Sequence, residues 1–258
     1  MLPLTGYSKA KKYVDFHSKL SDREIIQLKK KYPGPCLTIS RQCGIDVSKL
    51  CENLVKEFSI YYQSDWAYFD KQLIQKVLLD HNLPERVQKF FAEEKISTLS
   101  QMLNELLGIH PPLRKLFKDM MKTVLNLAEF GNVILVGRGS NIITAHLKNS
   151  YHIRLVASLD YRIANLSKLM KIKSDETRKI IIKEEKNRKE FISKNYHQNL
   201  ENPLLYNMTI DIEKFTFNEL LKQIKKSIQL KFPKSKIILK QKAIFKGVPK
   251  RRGQDYGE

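Results

Sequence analysis

Between residues 36 and about 232, short apolar runs alternate with stretches whose apolar residues recur at helical spacing. The runs are Cys36 to Ile39, Ala67 to Phe69, Val133 to Val136, His152 to Ala157 and Met208 to Ile212. Among the helical stretches, Val47, Leu50, Cys51, Leu54, Val55 and Phe58 follow an i, i+3, i+4, i+7 pattern. Another opens on the capping box Thr216-Phe-Asn-Glu219 and sets Phe217, Leu220, Leu221, Ile224 and Ile228 on one face. Strands that alternate with helices need crossover connections, which predicts an α/β fold with a parallel sheet flanked by helices. Ligands of such sheets bind beyond the carboxyl ends of the strands, so the chemistry is expected there.

Around this core, residues 1–34 form an extension with a second capping box, Ser21-Asp-Arg-Glu24, closed by Pro33-Gly34-Pro35. The core domain is assigned to 35–232 and a basic tail to 233–258, in which Lys236 to Phe245 is a candidate strand. With 258 residues and 42% apolar side chains the chain can bury a substantial core. No run approaches the ~18–20 consecutive apolar residues of a membrane span, and Met1 to Lys12 lacks the apolar stretch of a secretory signal. A soluble, cytoplasmic protein is the expectation. Cys36, Cys43 and Cys51 match no zinc-ligand spacing; Cys36 and Cys51 read as buried thiols and Cys43 as a loop residue.

A net charge of +20 favours anionic partners. Most lysines are dispersed, which suits solvated faces. The tail, with eight basic residues against Asp255 and Glu258, is either a contact for RNA or an acidic surface or a frayed end.

Three strand ends carry candidate chemistry. Leu37 to Ser40 leads through Arg41-Gln-Cys-Gly-Ile-Asp46 to a helix, whose amino terminus suits a phosphate. Val133 to Val136 runs into Gly137-Arg-Gly-Ser-Asn141, where the glycines expose Arg138 for bidentate anion binding or leave it in a solvated turn. Tyr68-Phe-Asp-Lys71 places Asp70 past a short strand, as a substrate contact or a helix cap. Separately, Lys183 to Glu190 is polar throughout, as in a solvated helix or a lid that brings cations to phosphates.

Taken together, Leu37 to Gly44, Tyr68 to Ile74, Val136 to Asn141, Tyr151 to Ala157, Tyr161-Arg162, Asn187 to Phe191 and Asn202 to Tyr206 resemble the cytidylate kinase-like family, in order and register over roughly 36–230. The resemblance implies a P-loop kinase fold with a nucleoside monophosphate-binding insertion at about 71–130 and a helical lid at about 168–200. It implies transfer of a phosphoryl group from ATP, with nucleotide-bound Mg²⁺, to a monophosphate such as CMP. Asp70, Arg138 and Asn141 would hold the acceptor. Ser40, Arg41, Gly44, Ser48, Lys49 and Arg162 would lie toward the donor, and Arg138 and Arg188 would stabilise the transferring group.

The chain departs from the family where Gly-Ser-Gly-Gly is usual and Gly44-Ile-Asp-Val47 stands. Ile45 and Val47 are expected to crowd the phosphate space and Asp46 to repel phosphate. A like-charge contact at about 4 Å costs ~4 kcal/mol at an effective dielectric of ~20. Lys49 is the nearest compensating cation, two residues past Val47. Three readings follow: a phosphotransferase, a catalytically silent relative that senses a nucleotide or binds a partner, and a nucleic-acid binder acting through the tail.

Overall fold

The computed structural model describes residues 34–70, 121–122 and 124–234. The extension, the tail beyond Lys234 and most of the 71–130 segment lie outside the described residues, with the Ser21 capping box and the strand candidate at Lys236 to Phe245.

Five parallel strands form one sheet: β1 (Cys36–Arg41), β2 (Ala67–Phe69), β3 (Val133–Val136), β4 (Ser150–Val156) and β5 (Met208–Asp211), in the order β2-β3-β1-β4-β5. Helices α1 (Ser48–Tyr62), α2 (Ser140–Ile143), α3 (Leu159–Met170), α4 (Ser174–Tyr196) and α5 (Phe217–Lys231) accompany them. All five apolar runs become strands; β2 and β3 keep the expected bounds, whereas β1, β4 and β5 shift at one or both ends. β1 and β4 pair from Cys36↔Ser150 to Arg41↔Leu155, so parallel hydrogen bonding carries both beyond their apolar stretches. Central β1 buries Cys36, Leu37, Thr38 and Ile39 completely. A strand covered on both faces has no reason to alternate, hence the continuous apolar run.

α1 buries the predicted stripe of Leu50, Cys51, Leu54, Val55 and Phe58, and adds Tyr62. Its far end is a packed aromatic group, with the Phe58 and Trp66 ring centroids 4.7 Å apart and those of Tyr62 and Trp66 5.5 Å apart. The predicted capping box at α5 forms both of its hydrogen bonds, Glu219 N–H to Thr216 Oγ1 at 3.4 Å and Thr216 N–H to Glu219 Oε2 at 2.8 Å. Leu220, Ile224 and Ile228 of α5 face the core, and Lys225 pairs with Glu57 of α1.

The strand order creates a switch point. From β1 the chain passes to β2, two places to one side, whereas β4 adds to the other side of β1. The crevice beyond the carboxyl ends of β1 and its neighbours is where such sheets take ligands. Among the described residues no helix is long and apolar enough to cross a membrane.

Candidate nucleotide site

The crevice is framed by the residues that end β1, β2 and β3. β1 ends in Arg41 itself, β2 is followed by Asp70, and β3 turns through Gly137, Arg138 and Gly139 with φ of 77°, 59° and 68°. Arg138 thus holds a left-handed conformation that costs a non-glycine residue of order 1 kcal/mol or more. Such strain persists only where the surroundings fix it. Here Tyr196, at the end of α4, donates its hydroxyl to the Arg138 carbonyl at 3.3 Å. Burial pushes the Tyr196 phenol up, and the nearby Arg138 charge opposes that shift. Asn141 follows in α2, 4% exposed, and its Nδ2 has no hydrogen-bond partner among the described residues.

Arg41 lies against this turn. A Cβ on Gly137 would stand 2.9 Å from Arg41 Nη1, so the bare glycine makes room for the guanidinium. Burial holds the Arg41 guanidinium below the usual arginine range, and the like charge of Arg188 adds to this, while Asp70 acts in the opposite sense. Arg188 reaches in from α4 and donates Nη1–H to the Arg41 carbonyl at 3.2 Å. Among the described residues neither guanidinium forms an ion pair.

α4 explains its own odd composition. Thr177, Ile181, Glu185, Arg188, Ile192 and Tyr196 fall at spacings of three and four, on one face. Thr177, Ile181 and Ile192 are buried. Between them the stripe turns polar where it crosses the loop joining β1 to α1. The all-polar run is therefore not solvated throughout.

That loop, 42–47, is fastened on three sides. Gln42 Oε1 accepts the Ala157 N–H at 2.9 Å, and Gln42 N–H donates to the Leu155 carbonyl at 3.2 Å. Glu185 Oε1 accepts the Cys43 N–H at 3.3 Å and an Arg162 Nη1–H at 2.7 Å. Arg162, 6% exposed, also donates to the carbonyls of Cys43, Ala157 and Ser158. Its guanidinium braces the back of the loop. Gly44 has φ +92°, and a Cβ there would stand 2.7 Å from the Arg162 carbonyl oxygen.

The expectation that Ile45 and Val47 crowd a phosphate is corrected. Both side chains turn into the hydrophobic core, 7% and 6% exposed. Asp46 is the residue at the helix end, and its Oδ1 accepts Ser48 N–H at 2.9 Å and Ser48 Oγ–H at 2.7 Å. Lys49 does not reach over the loop; its Nζ sits 4.9 Å from the Phe217 ring centroid. The Ser48 N–H and hydroxyl are thus engaged with Asp46, and the Lys49 ammonium lies over Phe217. Cys43 is buried, and burial pushes its thiol up. Among the described residues no group of three His, Cys, Asp or Glu side chains is placed to hold a metal ion.

The model of the cytidylate kinase-like family matches residues 36–214. The chain belongs to this family. Its sheet order and flanking helices are those of a P-loop kinase-like, nucleotide-binding fold. Among solved structures, an uncharacterized protein from Eubacterium ventriosum ATCC 27560 has a TM-score of 0.52 at 15% identity, over 76% of this chain and 98% of that one. A shikimate kinase from Bacteroides thetaiotaomicron has a TM-score of 0.42 at 12% identity, over the same shares of each chain. At 15% identity the likeness to the Eubacterium ventriosum protein is one of fold. None of the curated proteins matches.

In this family member the crevice brings together Arg41, Asp70, Arg138 and Arg188. Ser48, Lys49 and Arg162 form a separate set, spent on the protein's own loop and helices. Sequence reasoning missed Glu185 and Tyr196. The available signal was the i, i+3 placement of Glu185 and Arg188 within a polar helix, which puts both on one side.

Proposed function

We propose that the protein binds a nucleoside monophosphate such as CMP in the crevice, with the phosphate between Arg41, Arg138 and Arg188. The carrying observation is the Arg41–Arg188 contact. Arg188 sets its guanidinium on the Arg41 carbonyl and its charge bears on the buried Arg41 guanidinium; neither has an ion-pair partner among the described residues, so an anion bound between them would relieve the repulsion. A phosphate monoester supplies that anion, with paired oxygens that a planar guanidinium engages bidentately. Asp70 would accept from the base or sugar, and the unpartnered Asn141 Nδ2 would donate to the ligand.

In this reading α4 and the end of α3 act as the lid (about 168–200), and the segment at about 71–130 completes the monophosphate side as the insertion. Phosphoryl transfer from ATP·Mg²⁺ is the second reading, favoured by the arrival of Arg188 from α4 at the phosphate position. It needs a triphosphate at loop 42–47, where Asp46 already occupies the helix end. Binding without transfer is therefore the function proposed, in the role of a nucleotide sensor.

Calorimetric titration with CMP tests it. Binding in the micromolar range, weakened at least about tenfold by Arg138→Ala, is expected. No heat at millimolar CMP would overturn the reading. Release of ADP from ATP in the presence of CMP would instead establish transfer.

A further inference from the structure

We propose that the phosphate loop is ligated by the protein's own carboxylates, Asp46 at one end and Glu185 at the other, and that this self-ligation excludes a nucleoside triphosphate.

Backbone N–H groups of a strand-to-helix loop are the groups with which such a loop holds phosphates. Two of them already have anionic acceptors. Ser48 N–H donates to Asp46, together with the Ser48 hydroxyl, and Cys43 N–H donates to Glu185. The two carboxylates are held differently. Asp46 is exposed and two residues from its partner, so it caps the helix locally. Glu185 comes from α4 and is anchored by Arg162, which is itself fixed by three main-chain carbonyls. Release of Glu185 would leave a buried guanidinium without its counter-charge, so the contact does not open cheaply.

α4 is consequently seated on the loop through Glu185 and Arg188. A polyanion entering the loop meets the Asp46 carboxylate at one end, finds the Cys43 N–H already taken by Glu185 at the other, and finds Lys49 turned toward Phe217. The loop keeps the shape of a phosphate cradle and fills it from within. This inference deepens the binding reading but does not depend on CMP being the ligand.

Titration of the full chain with Mg·ATP and, separately, with CMP tests it. Wild type should give no Mg·ATP binding at millimolar concentration. Asp46→Asn keeps an acceptor for Ser48 while removing the charge, and should gain Mg·ATP affinity at least about tenfold. Adding Glu185→Gln should increase the gain. Because Asp46 is exposed, its single variants test the idea even if the double variant fails to fold. Micromolar Mg·ATP binding by wild type would overturn the proposal. So would folded Asp46→Asn and Asp46→Gly proteins, with unchanged circular dichroism, that gain nothing. CMP separates the two readings: its failure to bind, with the Mg·ATP pattern intact, tells against the arginine site alone.

Discussion

Arg188 donates a hydrogen bond to the carbonyl oxygen of Arg41 at 3.2 Å, across the gap between α4 and the end of β1, so two like charges converge where the sheet opens. The contact serves folding poorly and anion capture well. Arg188→Ala should therefore separate the two. CMP affinity is expected to fall by about 1.5–3 kcal/mol, the worth of a charged hydrogen bond, or roughly ten- to a hundredfold. The thermal midpoint should stay level or rise, because a repulsive neighbour of Arg41 is gone. Parallel titration and melting curves check this, and an unchanged affinity with a lowered midpoint would make Arg188 a structural residue.

Gly137 and Gly44 both sit at positive φ, yet their substitution should read out differently. A Cβ at Gly137 meets the mobile tip of Arg41 at 2.9 Å, whereas one at Gly44 meets the Arg162 main-chain oxygen at 2.7 Å. A guanidinium can swing away; a carbonyl held in a helix cannot. Gly44→Ala is expected to cost about 1–3 kcal/mol of stability. Gly137→Ala carries the conformational strain alone and should lose CMP binding more than stability, because Arg41 is displaced. Urea unfolding of both variants beside their CMP titrations decides it.

Strand and helix signals in this chain were legible because burial imposes them. β1 lies between two strands and beneath helices, so Cys36 to Ile39 has to be apolar, and α1 repeats the helical period of its buried face. The ends were less legible, since pairing of Ser150 with Cys36 and of Arg41 with Leu155 needs no apolar side chain. At the site, Arg41, Asp70, Arg138 and Arg188 could be named from motifs, but their grouping could not. It depends on α4 returning across the sheet, a long-range contact without local pattern. Ile45 and Val47 misled for a related reason. Two bulky residues in a phosphate loop look obstructive until the loop is seen to turn both inward, leaving Asp46 outside.

The Arg162–Glu185 pair is expected to dominate the stability of the loop. Arg162 Nη1 lies 2.7 Å from Glu185 Oε1, and the side chains are 7% and 26% exposed. Removing one member of such a pair strands the other, at a cost of about 3–5 kcal/mol when burial is complete. With Glu185 partly open to water, Glu185→Ala should cost about 2–3 kcal/mol, since solvent screens part of the loss. Arg162→Met with Glu185→Leu should cost less than the sum of the single changes. A double-mutant cycle by chemical denaturation measures the coupling, and a value near zero would mean that the main-chain carbonyls alone hold Arg162.

Acid should weaken the fold through His152 before most carboxylates titrate. His152 is 8% exposed in β4, and its Nδ1 lies 2.8 Å from Thr38 Oγ1 in the middle of the sheet. Burial pushes its pKa down to about 4, from about 6.5 in the unfolded chain. Between those values the unfolded chain binds a proton that the folded chain refuses, so stability increases with pH across that window. The contribution is fully present above about pH 6.5 and disappears as pH falls toward about 4, an upper limit of roughly 3 kcal/mol. His152→Asn keeps a polar partner for Thr38 and cannot titrate. Its stability at neutral pH should lie below that of wild type, because packing around the ring is lost, but the slope between pH 6.5 and 4 should be shallower by that amount. Equilibrium urea unfolding at several pH values measures both slopes. Equal slopes would mean that His152 already carries its proton in the folded sheet or that the unfolded chain shields it equally, and either would remove the buried neutral imidazole from the account of β4.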